Sequence, residues 1–265
     1  MKIKGFLSFC LLLFLSHGLF SQANNEWNQK DANGLKFGAW KGFYPQGQLR
    51  YVGQFKNDLP VDTFYYYFED GKIKSILIYD KDVANKALAM HFYSTGDTLA
   101  KGHYVDQKKE GMWMSYGESS VPVERGAYKD GQKNGRWIIY YPTGVISEEM
   151  HYANGIQDGP FKTYFENGQM HQDAFFLEGA LHGQVTFYSK EGKKEQEGEY
   201  KQNLRDGKWL IYNENENVIK LYRYDNGTLL NPDDKDSLNY DQTKHKENRK
   251  DYLEFEDIRG KIKYD

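Results

Sequence analysis

A 24-residue period constrains this chain more than any other feature. With Gly135 as position zero, the equivalent residues are Gly38, Asp62, Ala87, Gly111, Gly159, Gly183 and Gly207, and one step, from Asp62 to Ala87, is 25 residues. Position five is aromatic in all eight copies: Phe43, Tyr67, Phe92, Tyr116, Tyr140, Tyr164, Tyr188 and Tyr212. Position seventeen is too: Phe55, Tyr79, Tyr104, Tyr128, Tyr152, Phe176, Tyr200 and Tyr224. Position two holds Trp40, Phe64, Ala89, Trp113, Trp137, Phe161, Val185 and Trp209. Chance does not give two unbroken aromatic columns, so the chain is eight copies of one small unit.

Each unit predicts a hairpin. Aromatic and β-branched residues pack well across a pleated surface. Position nine is Gly47, Gly71, Gly96, Gly144, Gly168 and Gly192, with Ser120 and Glu216 as exceptions. A mid-unit glycine suits a turn that needs positive φ. Asp130-Gly131, Asn154-Gly155, Glu178-Gly179 and Asn226-Gly227 supply a second turn. On this reading Gly135 opens the first strand of its unit and Asn154-Gly155 leads into the next copy. The period holds two strands of roughly 5–6 residues and two turns, but not a strand with a crossover helix. The expected fold is therefore all-β: an elongated single-layer antiparallel β-meander of about eight 24-residue hairpin repeats. Sixteen strands at ~4.8 Å spacing give a sheet about 75 Å long. Positions two and five differ in parity, so regular alternation sends them to opposite faces. A bulge would bring both to one face.

Gly-Arg-Trp-Ile-Ile-Tyr-Tyr-Pro-Thr-Gly at 135–144 and Gly-Pro-Phe-Lys-Thr-Tyr-Phe-Glu-Asn-Gly at 159–168 resemble the bacterial MORN-variant repeat, Gly-x-Trp/Phe-x-x-Tyr-aromatic-x-x-Gly. Residues 126–131 and 198–200 resemble its second half. The resemblance extends over about residues 34–227 and implies an elongated sheet that acts by binding. Bacterial proteins of this kind are commonly described as similar to the antitoxin component of a YwqK-type toxin–antitoxin system, which brings no catalytic motif. The third unit departs from the pattern with Ala87-Leu88-Ala89, and the fourth with Gly117 to Pro122 in place of its mid-turn. An irregular edge or a wider loop is expected there.

The flanks differ from the repeats. Residues 1–21 carry Lys2 and Lys4 before an apolar run, as a secretory signal peptide does, with cleavage expected near Ser21. The run is too short and interrupted for a comfortable membrane span, so no integral span is expected after cleavage. The single cysteine, Cys10, lies inside the signal. Residues 22–33 form a polar lead-in, 34–228 the repeat domain, and 229–265 a charged tail that is a possible cap. Losing residues 1–21, with two lysines and no acid, moves the net charge from −3 to −5. That balance lacks the basic footprint of a nucleic-acid binder and argues against electrostatic attachment to anionic lipid. An exported, periplasmic or secreted location is expected.

No catalytic constellation is visible. The histidines have no metal-ligand spacing, no His-Glu-x-x-His occurs, and the glycines precede no helix that could cradle phosphate. No metal and no cofactor is expected. The candidate binding residues are aromatic: Trp113, Trp137, Phe161, Trp209, Tyr116, Tyr140, Tyr164, Tyr188 and Tyr212. They have two readings: rings that cover one another and hold the sheet together, or an elongated recognition surface. The expected function is a non-enzymatic exported scaffold with a protein partner in the cell envelope. The alternatives are an antitoxin-like inhibitor of an exported toxin and a module that binds envelope polysaccharide.

Overall fold

The structure is a computed structural model that describes residues 27–230. The predicted signal at 1–21, the lead-in up to residue 26 and the tail from residue 231 lie outside the described residues. The described chain is one antiparallel sheet in which consecutive strands pair, and all eight predicted hairpins are present. The first joins Lys36–Phe43 to Leu49–Lys56, and the last joins Leu204–Tyr212 to Val218–Asp225. Two-residue strands, Gln29–Lys30 and Thr228–Leu229, pair with the end hairpins. Among the described residues the one helical element is the 3-10 turn Glu118–Ser120.

Both turns follow from their residues. At position nine every residue has positive φ, from Gly96 at 99° to Ser120 at 61° and Glu216 at 58°. In the fifth hairpin Tyr141 N–H donates to Val145 O at 2.7 Å and Gly144 N–H to Tyr141 O at 2.8 Å. This is a three-residue loop ending in a left-handed residue. The second turn is a two-residue loop with positive φ at both residues: 49° and 84° at Asn154-Gly155, 52° and 63° at Asn57-Asp58. That pair of φ values defines the type I′ turn, whose twist matches that of the strands.

Position zero differs from the sequence expectation. Gly135 does not open a strand; it lies inside Gln132–Tyr140 with φ 78°. It belongs to a wide bulge at the boundary between units. Across the next such boundary Met150 pairs with Phe161 and Tyr152 with Gln157, so three residues on one strand span one on the other. The left-handed glycine absorbs the extra residues. Strands are accordingly 7–9 residues long in most hairpins, longer than expected, because they run through the glycine. In the third unit Ala87 replaces the glycine, the bulge is absent, and Tyr79 to Ser75 pair regularly with Ala87 to His91. The extra residue of its 25-residue step goes into the connection at 80–85, the wider loop expected there. In the fourth unit the mid-turn keeps its length and becomes the 3-10 turn.

The register assigns the faces. Within a unit Trp137 pairs with Met150, Ile138 with Glu149 and Gly135 with Tyr152. Between units Trp137 pairs with Gly126 and Ile138 with Arg125. Positions two and seventeen therefore share one face, the core face. Positions three and fourteen, with position five, lie on the other, the open face. Regular alternation between positions two and five holds, and both faces carry an aromatic column.

Candidate interaction surface

On the core face the rings at positions two and seventeen alternate edge to face. Centroid distances are 5.1 Å for Tyr128–Trp137, 5.9 Å for Trp137–Tyr152 and 5.1 Å for Tyr200–Trp209, with interplanar angles of 75–84°. Such pairs contribute about 0.5–1.5 kcal/mol each beyond area burial. Each indole leans over the strand before it, where position fifteen is glycine. A Cβ on Gly126 would stand 2.2 Å from the Trp137 ring, one on Gly102 2.3 Å from Trp113, and one on Gly198 2.2 Å from Trp209. The indole N–H groups donate to Ala127 O, His103 O and Glu199 O at 3.0–3.1 Å, carbonyls beside the bulges. A cation four residues earlier lies over each ring: Lys36 over Trp40, Lys109 over Trp113, Lys133 over Trp137 and Arg205 over Trp209, at 4.0–5.1 Å.

These contacts bury Trp113, Trp137 and Trp209 to 2 %, 1 % and 0 % exposure. Phe161 is half-buried between Met150 and Phe176. The tryptophan candidates are thus core residues that present no surface to a ligand. Sequence reading missed the glycine at position fifteen and the Lys/Arg-x-x-x-Trp spacing, although both are written in the chain.

Where position two is small, position four is large. Ala89 is followed by His91, and Val185 by Phe187; all four are buried. His91 stacks on Trp113 with centroids 6.0 Å apart and an angle of 16°. Its Nδ1 is 2.8 Å from Ser75 Oγ and its Nε2 3.4 Å from Tyr104 Oη. Burial, with Lys109 and Lys74 nearby, pushes its pKa down to about 4. A serine–imidazole contact can activate a nucleophile, but this one is packed into the core, where substrate has no access.

The tyrosine candidates lie on the open face. Tyr116, Tyr140, Tyr164, Tyr188 and Tyr212 are half-buried and recur every second strand, about 10 Å apart by strand spacing. Beside each stands a position-fourteen residue of the preceding unit. Lys101 Nζ is 5.5 Å from the Tyr116 ring and the Arg125 guanidinium 5.9 Å from Tyr140. Tyr212 Oη donates to Glu197 Oε1 at 2.5 Å. Burial, then that bond, pushes the Tyr212 pKa up to about 12, and the same bond holds Glu197 below the usual carboxylate range. Burial, then the charge of Glu149, raises Tyr164. A row of rings interleaved with charges on a sheet can bind an extended partner by contact. A shallow hollow on this face is lined by Gln184, Glu197, Glu199, Lys208 and Leu210. Among the described residues no cluster of His, Cys, Asp and Glu could hold a metal ion, and no helix is long and apolar enough to cross a membrane.

Fold and surface define a repeat scaffold. Residues 38–57, 63–81, 133–154, 157–178 and 181–202, at five of the eight hairpins, match the family model described as MORN repeat variant. No curated protein matches the chain. Among solved structures it is similar to TcdB2-TccC3-Cdc42, at 12 % identity and TM-score 0.19 over 65 % of this chain and 12 % of that one. It is also similar to the Tc holotoxin pore of Photorhabdus luminescens, at 12 % identity and TM-score 0.22 over 76 % of this chain and 13 % of that one. The chain spans about an eighth of those chains, and scores of this size define neither a shared fold nor a shared function.

Proposed function

We propose that this chain is a non-enzymatic, exported repeat scaffold that binds another protein in the cell envelope through its open face. The division of the aromatic columns carries the proposal: the core face encloses its tryptophans, while the open face leaves five tyrosines half-exposed in register. Tyrosine is enriched where proteins meet partners. Export rests on the composition of residues 1–21. Two other occupants suit the same row of rings. One is an exported toxin, which would make the chain an antitoxin-like inhibitor; the other is an envelope polysaccharide stacked on the tyrosines.

The test is cross-linking affinity capture of the mature chain from its own envelope, beside a Tyr116→Ser, Tyr140→Ser, Tyr164→Ser variant with matched melting temperature. A stoichiometric protein that the variant loses supports the scaffold. Equal capture by both chains removes the open face from the proposal. Release by envelope glycan assigns a carbohydrate module, and toxicity of the captured protein, suppressed by this chain, assigns an inhibitor.

A further inference from the structure

The open face changes character along the array. In the second to fourth units positions one, three, fourteen and sixteen hold no acid: they carry Tyr65, Ile76 and Ile78; Leu88, Met90 and Lys101; Met112, Met114 and Arg125, with Thr63, His103 and Ala127 at the rest. The ladder runs Tyr65–Ile76–Met90–Lys101–Met114–Arg125 across consecutive strands. Met112 is 58 % exposed, and Tyr65 and Ile78 are exposed as well. From the fifth to the seventh unit position fourteen is acidic instead, and each of these carboxylates is satisfied within the chain. Arg136 holds Glu149 at 2.7 Å, Lys162 holds Asp173 at 3.9 Å, and Lys194 with Tyr212 holds Glu197. Among the described residues Lys101 and Arg125 form no ion pair, and each stands beside a tyrosine ring. Residues 82–132, which carry most of this stretch, lie outside the family matches.

We infer that this stretch is the docking surface of the scaffold and that its occupant is an amphipathic helix of a partner protein, with an apolar stripe flanked by acidic residues. The inference rests on the protein-binding function proposed above and locates it. Methionine side chains adapt their shape to an apolar partner. Two rows of side chains over three units cover roughly 400 Å², a size that marks binding surfaces. Unpaired cations on an apolar ground select an acidic partner and speed its approach.

Spacing selects the helix. Lys101 and Arg125 lie two strands apart, about 10 Å. An extended segment covers that distance in about three residues, and residues three apart point to opposite sides. A helix covers it in about seven residues, at ~1.5 Å each, and residues seven apart share a face.

The probe is a fluorescein-labelled 18-residue synthetic peptide on an alanine background. It has leucine at heptad spacing and two glutamates seven residues apart beside the stripe; a counterpart has lysine in place of both glutamates. Fluorescence anisotropy should show binding of the acidic peptide that weakens with salt. Lys101→Glu with Arg125→Glu should weaken it at least tenfold, and Met112→Asp should weaken it at unchanged melting temperature. Lys-peptide binding equal to Glu-peptide binding, indifference to the double charge reversal, or no binding of either peptide overturns the inference. Sedimentation with phosphatidylserine vesicles in place of peptide binding would assign the cations to anionic lipid and also overturn it. A protein captured from the envelope by the Lys101→Glu, Arg125→Glu chain but lost with the tyrosine variant leaves the scaffold standing and removes this surface.

Discussion

Gly126→Ala tests the packing of the core face most directly. Gly126 is not in the left-handed region, so alanine meets no backbone penalty there. Its Cβ would stand 2.2 Å from Cδ2 and Cε2 of Trp137 and 2.5 Å from Cγ, so the ring must move. The ring has little freedom. Lys133 lies 4.0 Å from its centroid, Tyr128 and Tyr152 stand edge-on to it, and its N–H donates to Ala127 O. Overpacking of this kind costs about 1–3 kcal/mol. Loss of the indole hydrogen bond adds about 1 kcal/mol. The sum of about 3 kcal/mol should lower the melting temperature by roughly 6–12 °C for a domain of this size. Trp137→Val should relieve the clash, because Val185 stands beside Ala174 in the same register two units on. Urea unfolding of wild type, both single variants and the double variant gives the coupling, expected to be at least 1 kcal/mol in favour of the Ala–Val pair. An additive cycle, or a Gly126→Ala chain that melts with wild type, would refute the account of this column. Gly144→Ala is the control. It has φ 84° and nothing within 4 Å of its Cβ, so the variant should lose about 1–2 kcal/mol of stability to backbone strain, with no coupling to Trp137.

Four further outcomes follow from the geometry. Lys133→Ala should cost about 1–2 kcal/mol through the lost contact with Trp137, and a red shift in tryptophan fluorescence would report the opened ring. Gln196→Met should raise the unfolding free energy by about 1–2 kcal/mol, because among the described residues neither amide atom of the buried Gln196 side chain has a hydrogen-bond partner. Tyr141→Phe should cost about 1 kcal/mol, since Tyr141 Oη donates at 2.7 Å to Tyr164 O of the next unit. The pH dependence involves His91. The unfolded chain takes up this proton below about pH 6.5, while the native chain excludes it until about pH 4. Stability is therefore full above pH 6.5 and falls by about 3 kcal/mol as pH drops to 4. His91→Phe, combined with Ser75→Ala to avoid stranding that hydroxyl, should remove this part of the slope in urea titrations at pH 4 and 7.

The period, the two turns and the antiparallel meander were legible because each depends on local chemistry. Asn154-Gly155 and Gly144 sit where only a turn with positive φ accepts such residues. The bulge was not legible. Gly135 looks like a strand opener because an isolated glycine in a strand pattern is a breaker as readily as a left-handed residue within a strand. What distinguishes the two is the pairing of Gln132 and Lys133 with Lys129 and Tyr128 across the unit boundary. The bulge also changes the count between Tyr128 and Trp137, nine residues apart. A regular register continued from the Lys133–Tyr128 pair would set Trp137 opposite Glu124; the bulge sets it opposite Gly126, on the same face and two residues nearer Tyr128, so the rings touch.

Which aromatic column is covered depends on neighbours that period alone leaves unranked. Positions two and five carry rings of similar size, and each has one face of the sheet. The difference lies in the surrounding columns. Position fifteen supplies Gly53, Gly102, Gly126 and Gly198, which leave room for Phe64, Trp113, Trp137 and Trp209. It is Leu77 beside Ala89, Met150 beside Phe161 and Ala174 beside Val185. Ring size on one strand is thus set against side-chain size on the strand before it, eleven or twelve residues upstream. Position five has no such partner column: its neighbours at position fourteen are Lys101, Arg125, Glu149, Asp173 and Glu197, which keep water close and the tyrosines half-open. The same chain that ties each unit to a specific predecessor through the core face is free to vary the open face unit by unit. That freedom explains why apolar and basic residues can gather between Tyr65 and Arg125 without disturbing the core beneath them.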